Sequence, residues 1–326
     1  MVASLPPLRL RPELKEKVWG GSALFSLLGL PPAEQKLGEA WMIFESLPVL
    51  DAAWAGQTLA SLTAAHPETM LGEALARSRH DGVPRFPLLA KLIEAREWLS
   101  VQVHPDDAYA RAREHVPYGK AEAWYIIRAD ADARIIHGVR EPLTREQLVA
   151  MARDGTLQAK LEAVPVRAGD VVLNLPGTIH ALGPGIVLYE IQQSSDLTYR
   201  LYDWGRPSSA GRALHLEQSA EVSTLEPLET HILQPERISR NGMLGERLVQ
   251  TAYFTTERWV LEGALVHDTE ARSPHLLTAS RGAGRVVSAH GETALTPQAS
   301  VVVPAACREY VLEPTEAPLE VLLSYC

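Results

Sequence analysis

Residues 99–127, "LSVQVHPDDAYARAREHVPYGKAEAWYII", start as a strand, break at a proline and return to an apolar run at Trp124. Leu99, Val101 and Val103 alternate with Ser100, Gln102 and His104, the period of a strand with two unlike faces. Gln102 and His104 therefore point the same way. After Pro105, the charged "DDAYARAREH" predicts a short helix. Lys120 and Glu122, again two apart, then open the next strand. An amide, an imidazole, an ammonium and a carboxylate are thus delivered by two strands joined through a short excursion.

Outward from this stretch, short β-branched runs dominate: "ARIIHGV", "DVVLNL" and "IVLYEIQ", then "RWVLEGALV", "GRVVSA" and "SVVVPA". Gly, Pro and Asp clusters separate them, the pattern of a β-sandwich or barrel. Helices read as insertions in the first half. In "LTREQLVAMARDGTLQAKLEAV" (143–164), Thr144 and Gln147 have capping-box spacing after Pro142; a second helix is expected in "TLASLTAAHPETMLGEALAR" (58–77). Around 207–240 the chain is polar, Pro-containing and weakly periodic, which predicts a linker and a boundary near 225. The expected units are 1–225, with the helical insertions, and 226–326. A faint echo supports two copies of one β fold. "AGDVVLNLPGTIHAL" (168–182) and "PQASVVVPAACREYVL" (297–312) both run from a turn into a β-branched strand and a Pro-containing turn. In the second copy Arg308 and Glu309 fall near the place of His180, so a metal is expected only in the first unit.

The 326 residues are 46% hydrophobic and 22% charged, enough apolar side chain for a sizeable core. The net charge of −9, without any run of Lys or Arg, argues against a nucleic-acid partner. It leaves room for a small anionic substrate, which needs only two or three local cations. The two cysteines, Cys307 and Cys326, point to a reducing compartment. The N-terminal stretch has no apolar core of signal-peptide length, and no segment approaches a membrane span. A cytoplasmic protein is expected, without a membrane partner, as monomer or homodimer.

Gln102, His104, Glu122 and His180 stand out as a set. Two imidazoles and a carboxylate make a common shell for zinc or another first-row divalent ion, and strands can bring such ligands together inside a β unit. A glutamine carbonyl would leave the ion more electrophilic than a second carboxylate would. Taken singly, each residue is as well explained by the core or the surface, since spacing cannot show that the four meet. The other nine of the eleven histidines, among them His80, His137, His267 and His275, match no ligand position, and most are read as surface or turn residues. The rings of "LYDWGR" are read as packing beneath their strand.

The chain resembles the type I phosphomannose isomerases (mannose-6-phosphate isomerases) of the cupin superfamily, in their short bacterial form. The resemblance runs through "KVWGG" (17–21), "GEAWMI" (38–43), "FPLLAKLIEAREWLSVQVHPDD" (86–107), "GKAEAWYII" (119–127), "GDVVLNLPGTIHAL" (169–182) and "YEIQQSSDLTYRLYDWGR" (189–206). It implies two cupin (jelly-roll) β-barrel units. It places the family's metal shell on Gln102, His104, Glu122 and His180, with zinc as the first expectation. The family's active-site arginine falls on Arg200 and its lysine on Lys120, while Lys91 and Glu190 fall on pocket-lining positions. One departure is local: where the family commonly reads "VPxGTxH", this chain has Leu175, Pro176 and Gly177.

The implied reaction interconverts mannose 6-phosphate and fructose 6-phosphate by moving a proton between C1 and C2 through an enediol(ate). It has three physical requirements: cations for the phosphate, a Lewis acid for the developing enediolate oxygen, and a group to carry the proton. Arg200, Lys120 and Glu190 are the catalytic candidates, with Lys91 and Arg206 as substrate-binding cations. Rival readings are a cupin oxygenase or another sugar isomerase, because the same ligands suit iron, and a non-catalytic sugar-phosphate-binding cupin.

Overall fold

The runs Leu88–Ala95 and Ile186–Gln193 are buried along their whole length. The reason is the six-stranded antiparallel sheet they share, which is covered on both faces. One face carries Ala40, Met42, Ala90, Leu92, Ala123, Tyr189 and Ile191 and packs on Leu248, Phe254, Leu276 and Leu322 of the C-terminal half. The other carries Ile93, Trp124, Ile126, Val172 and Leu188 and packs on Ile135, Val164 and Leu182. A strand with apolar neighbours on both sides has no reason to alternate, which is why these segments read as continuous hydrophobic stretches. The computed structural model describes residues 5–78, 82–206 and 212–326.

The fold is mostly β, as expected. The six-stranded sheet runs Glu13–Gly21, Leu37–Ile43, Leu88–Ala95, Ile186–Gln193, Glu122–Ala129, Val171–Asn174 in spatial order. A five-stranded sheet runs Tyr199–Tyr202, Val101–Val103, His180–Leu182, Arg134–Val139, Leu161–Pro165. A nine-stranded sheet holds every strand from Glu236–Arg240 onward, together with Leu8–Arg9 from the start of the chain, which pairs with Val301–Val303. Among the described residues none of these sheets closes on itself as a hydrogen-bonded barrel. Facing sheets can bury their inner faces by packing alone, so ladder closure is not required for a core.

Two helical expectations need correction. The helix expected over 143–164 covers only Arg145–Asp154, with Thr144 and Gln147 forming the capping box. Gly155 ends it in the left-handed conformation, and Leu161–Pro165 is a strand. The helix expected over 58–77 is three short ones, Leu59–Ala65, Pro67–Leu71 and Glu73–Arg77, broken at Pro67 and Gly72. The linker expected around 207–240 is also more ordered than its composition suggests. It contains the helix Leu216–Val222, whose Leu216 and Ala220 pack against Leu148, Ala152 and Leu201. Residues 207–211 of that linker, His80 and the first four residues lie outside the described ones.

Three of the nine histidines outside the proposed ligand set are buried and not at the surface: His137, His267 and His275. Burial pushes the His137 imidazolium down to about 4, with its hydrogen bond to the Leu173 carbonyl opposing the shift. It pushes His275 well below the usual histidine range, helped by His267 alongside. Both rings bind a proton more readily once unfolded, near pH 6.5. Stability is therefore full above that pH and declines as pH falls through the window down to the folded values. We expect each ring to contribute a loss of about 1.4 kcal/mol per pH unit. Urea denaturation in the presence of chelator, between pH 7 and 5, should show the decline, and His137→Gln should lessen its slope by that ring's share. A midpoint constant over that range would refute the assignment.

Candidate metal centre

The polar side chains of the six-stranded sheet gather at one end of the face whose other end is the Ile93–Trp124–Leu188 core. Glu122 lies opposite Gln192 and Asn174, and Glu190 lies opposite Lys91 and Trp124. The five-stranded sheet supplies the facing wall, with His180 directly opposite Gln102, and Gln102 opposite Arg200. The two strands quoted first thus belong to different sheets, and their polar residues meet across the gap. The return from one to the other is tightly specified. Asp107 Oδ1 accepts from Gly119 N at 2.8 Å and from Gln193 Nε2 at 2.9 Å, while Lys120 N donates to Pro105 O at 3.1 Å. A Cβ at Gly119 would run into the backbone of Pro105 and Asp106, so only glycine fits there. The Leu175–Pro176–Gly177 departure makes a turn closed by Thr178 N to Leu175 O, with Gly177 at φ +90°. Gly177 N then donates to His104 O at 2.8 Å and ties the two histidine segments together.

His104, Glu122 and His180 are each at most 1% exposed, and one donor atom from each lies within 4.8 Å of the others. Both imidazoles are oriented for a ligand. His104 Nδ1–H donates to Leu197 O at 2.9 Å and His180 Nδ1–H to Thr178 O at 2.8 Å, so both Nε2 lone pairs face inward. Glu122 Oε1 is 3.2 Å from His180 Nε2, and Oε2 is 3.5 Å from His104 Nε2. Donor atoms around a tetrahedral ion with bonds of about 2.0–2.2 Å are separated by roughly 3.3–3.6 Å. The donor set fits a divalent metal. Gln102 Nε2 donates to His180 Nε2 at 3.2 Å, and a half-turn of the planar amide presents its carbonyl to the same place.

Electrostatics agree with that reading. Burial pushes the His104 imidazolium down to about 3, with Lys120 adding to the effect, so the ring is neutral and able to coordinate. Burial would raise the Glu122 carboxyl, but Lys120, His180 and His104 outweigh it and hold it well below the usual range. Lys120 Nζ is 2.8 Å from Glu122 Oε2 and 3.1 Å from His104 Nε2.

A cleft of about 340 Å³ opens beside these residues, walled by Gln102, Lys120, Lys91, Glu190, Arg200 and, from outside the sequence expectations, Arg212 and His215. Lys91 pairs with Glu190 at 3.0 Å, and Trp124 Nε1 donates to the other Glu190 oxygen at 2.8 Å. Burial opposes the Lys91 charge, but Glu190 and then Glu39 hold it above the usual lysine range. Lys17 pairs with Glu39 at 3.1 Å, and Arg212 with Asp203 at 2.6 Å. Among the described residues no carboxylate lies within ion-pair distance of Arg200, whose Nη1 donates to Ala213 O at 3.1 Å. A larger groove, about 560 Å³, lies at the seam with the nine-stranded sheet, where Arg258 is satisfied by Glu246 and Glu320. Among the described residues it brings no metal-ligand group together.

A model of the type I phosphomannose isomerase catalytic domain matches residues 8–120. The mannose-6-phosphate isomerase of Streptococcus mutans is 35% identical over 98% of both chains. The chain belongs to the mannose-6-phosphate isomerase family. Within it, the crystal structure of the Bacillus subtilis mannose 6-phosphate isomerase superposes with a TM-score of 0.86 at 30% identity, covering 99% of this chain and 100% of that one. A zinc-bound mannose 6-phosphate isomerase, 17% identical, shares the fold at a TM-score of 0.77 over 98% of this chain and 99% of that one.

One expected residue of this family member sits elsewhere. Arg206 does not line the cleft; its guanidinium is engaged by Asp203 at 3.1 Å, by Glu97 at 3.8 Å and by the Trp98 carbonyl. An arginine next to a buried aspartate is drawn to that charge, and Arg212 shares it from the cleft side. Arg212 and His215 lie in a polar segment with no periodicity, so no local signal marked them. The Trp204 indole packs beneath its strand as expected, donating to Leu99 O and lying against Trp98.

Proposed function

We infer that the protein is a metal-dependent aldose–ketose isomerase that interconverts mannose 6-phosphate and fructose 6-phosphate. The single observation that carries this reading is the buried His104–Glu122–His180 cluster opening on a cleft lined with paired and unpaired cations. The zinc named for the related holo structure makes Zn²⁺ the preferred ion. Bound there, it would act as a Lewis acid for the sugar oxygens at C1 and C2, held by His104, Glu122, His180 and the Gln102 carbonyl.

The chain's own groups account for the rest. Arg212 attracts the anionic substrate, and Arg200, which has no carboxylate partner among the described residues, stabilises the charge that develops on the sugar oxygens in the transition state. Lys120 donates a hydrogen bond to the oxygen at which charge develops. Glu190 carries the proton between C1 and C2; Trp124 and Lys91 fix its direction, one on each oxygen. Lys91 is held as a permanent cation and acts by charge alone. Trp19, Ile93 and Leu182 line the cleft and keep water from the exposed enediolate. The cations argue against an oxygenase acting on an uncharged substrate, which has no use for them. We also propose that the chain divides into two cupin units near residue 225, with the metal in the first, and that it works in the cytoplasm. No helix is long and apolar enough to cross a membrane among the described residues.

The test joins metal analysis of the purified protein to a mannose 6-phosphate turnover assay. About one zinc per chain is expected, with turnover abolished by chelation and restored by Zn²⁺. A metal-loaded protein that leaves mannose 6-phosphate unchanged would sink the isomerase reading.

A further inference from the structure

Asn174 is an amide at the end of the apolar strand Val171–Asn174, 1% exposed. It stands directly opposite Glu122 in the six-stranded sheet, so both side chains project into the gap that holds the candidate metal centre. Its Nδ2 donates to Glu122 Oε1 at 3.4 Å, and its Oδ1 has no hydrogen-bond partner among the described residues. A buried amide with an unsatisfied carbonyl is costly, and a leucine of similar shape would avoid that cost on the face Asn174 shares with Val172. The one polar contact Asn174 makes is therefore the reason for its presence.

That contact falls on a particular atom. Glu122 Oε1 is the oxygen nearest His180 Nε2, while Oε2 is held by Lys120. The carboxylate is gripped from both sides, by an amide on one oxygen and an ammonium on the other. We propose that Asn174 is a positioning residue for the metal centre, fixing the plane of the Glu122 carboxylate so that Oε1 is presented to the ion beside His180. Donation to a ligating carboxylate also draws off part of its charge, which keeps the bound ion electrophilic. Outer-sphere partners of this kind typically change metal affinity by about 10–100-fold when removed.

The inference rests on the metal-centre reading above, and the experiment separates the two. Zinc affinity is measured on the full chain by competition with a chromophoric chelator, for the native protein and for Asn174→Leu. Melting temperature in excess EDTA reports on the fold alone. Asn174→Leu should bind zinc roughly tenfold to a hundredfold more weakly, with its melting temperature in EDTA unchanged or raised. Equal zinc affinity in a folded Asn174→Leu would overturn the proposal, and a lower melting temperature with unchanged affinity would make Asn174 merely structural. If Asn174→Leu does not fold, Asn174→Ala, which adds no bulk, is judged by the same readout. Failure of the native protein to bind zinc would overturn the metal centre itself.

Discussion

Replacing His104 or His180 by alanine should remove the metal and, with it, turnover by about 10³–10⁴-fold, the equivalent of about 4–5.5 kcal/mol of transition-state stabilisation. Each ring contributes an Nε2 lone pair to a cluster whose three donors are buried and mutually close. Neither can be replaced by a neighbour. Among the described residues, no other group of His, Cys, Asp or Glu lies within reach of a common ion. The consequence for stability is the opposite of simple loss. Glu122 keeps its Lys120 partner at 2.8 Å, so the buried carboxylate is not orphaned and the variants should stay folded. Metal content by elemental analysis and turnover under excess zinc are the measurements. A His180→Ala protein that retains both zinc and activity would show that the ion is held elsewhere.

Arg200→Ala should leave the metal bound and the fold intact while kcat falls by roughly 10²–10³, with little change in KM. Arg200 faces Gln102 across the strand pair, which puts its side chain on the wall next to the metal ligands. Its Nη1 holds the Ala213 carbonyl, and its backbone N–H donates to His215 Nδ1 at 3.1 Å, so the segment carrying Arg212 and His215 is anchored to it. Burial and the nearby Arg212 charge both press its pKa down, yet a guanidinium remains protonated throughout the working range. A cation without a carboxylate partner can give its whole charge to the substrate. If KM rises and kcat holds, Arg200 belongs to phosphate holding. Unchanged kinetics would make it a bystander.

Much of the site was legible because its residues break local patterns. Gln102, His104 and Glu122 are polar insertions into apolar strands, and His180 follows a Pro–Gly turn that leaves few ways to face. Glu190 in "IVLYEIQ" announces itself in the same way: a carboxylate in a fully buried strand requires a partner, and Lys91 is that partner. Asn174 in "DVVLNL" carried the same signal. Arg206 misled because "DWGR" looks identical whether the guanidinium turns to a cleft or to Asp203. The buried His137 and His275 were missed for a related reason. An imidazole among apolar residues is compatible with either a core hydrogen bond or a turn, and only the facing strand decides.

The sequence by itself determined the strand-rich character, the helix starts with side-chain caps and the family, because each follows from short-range pattern or from motif; the proposed ligand set came only through the family resemblance. What the tertiary structure alone decided is which strands face one another. Val101–Val103 and Glu122–Ala129 are separated only by the short helical stretch Asp107–Glu114 and its flanking turns yet enter different sheets, and the first described strand of the chain pairs with Val301–Val303. Whether a sheet is covered on one face or two is set by segments far away in sequence, and burial on both faces erases the alternation that would have revealed orientation. The neutrality of His104 and the permanent charge of Lys91 have the same origin. Both are set by burial and by charges from other strands, quantities that no stretch of sequence contains.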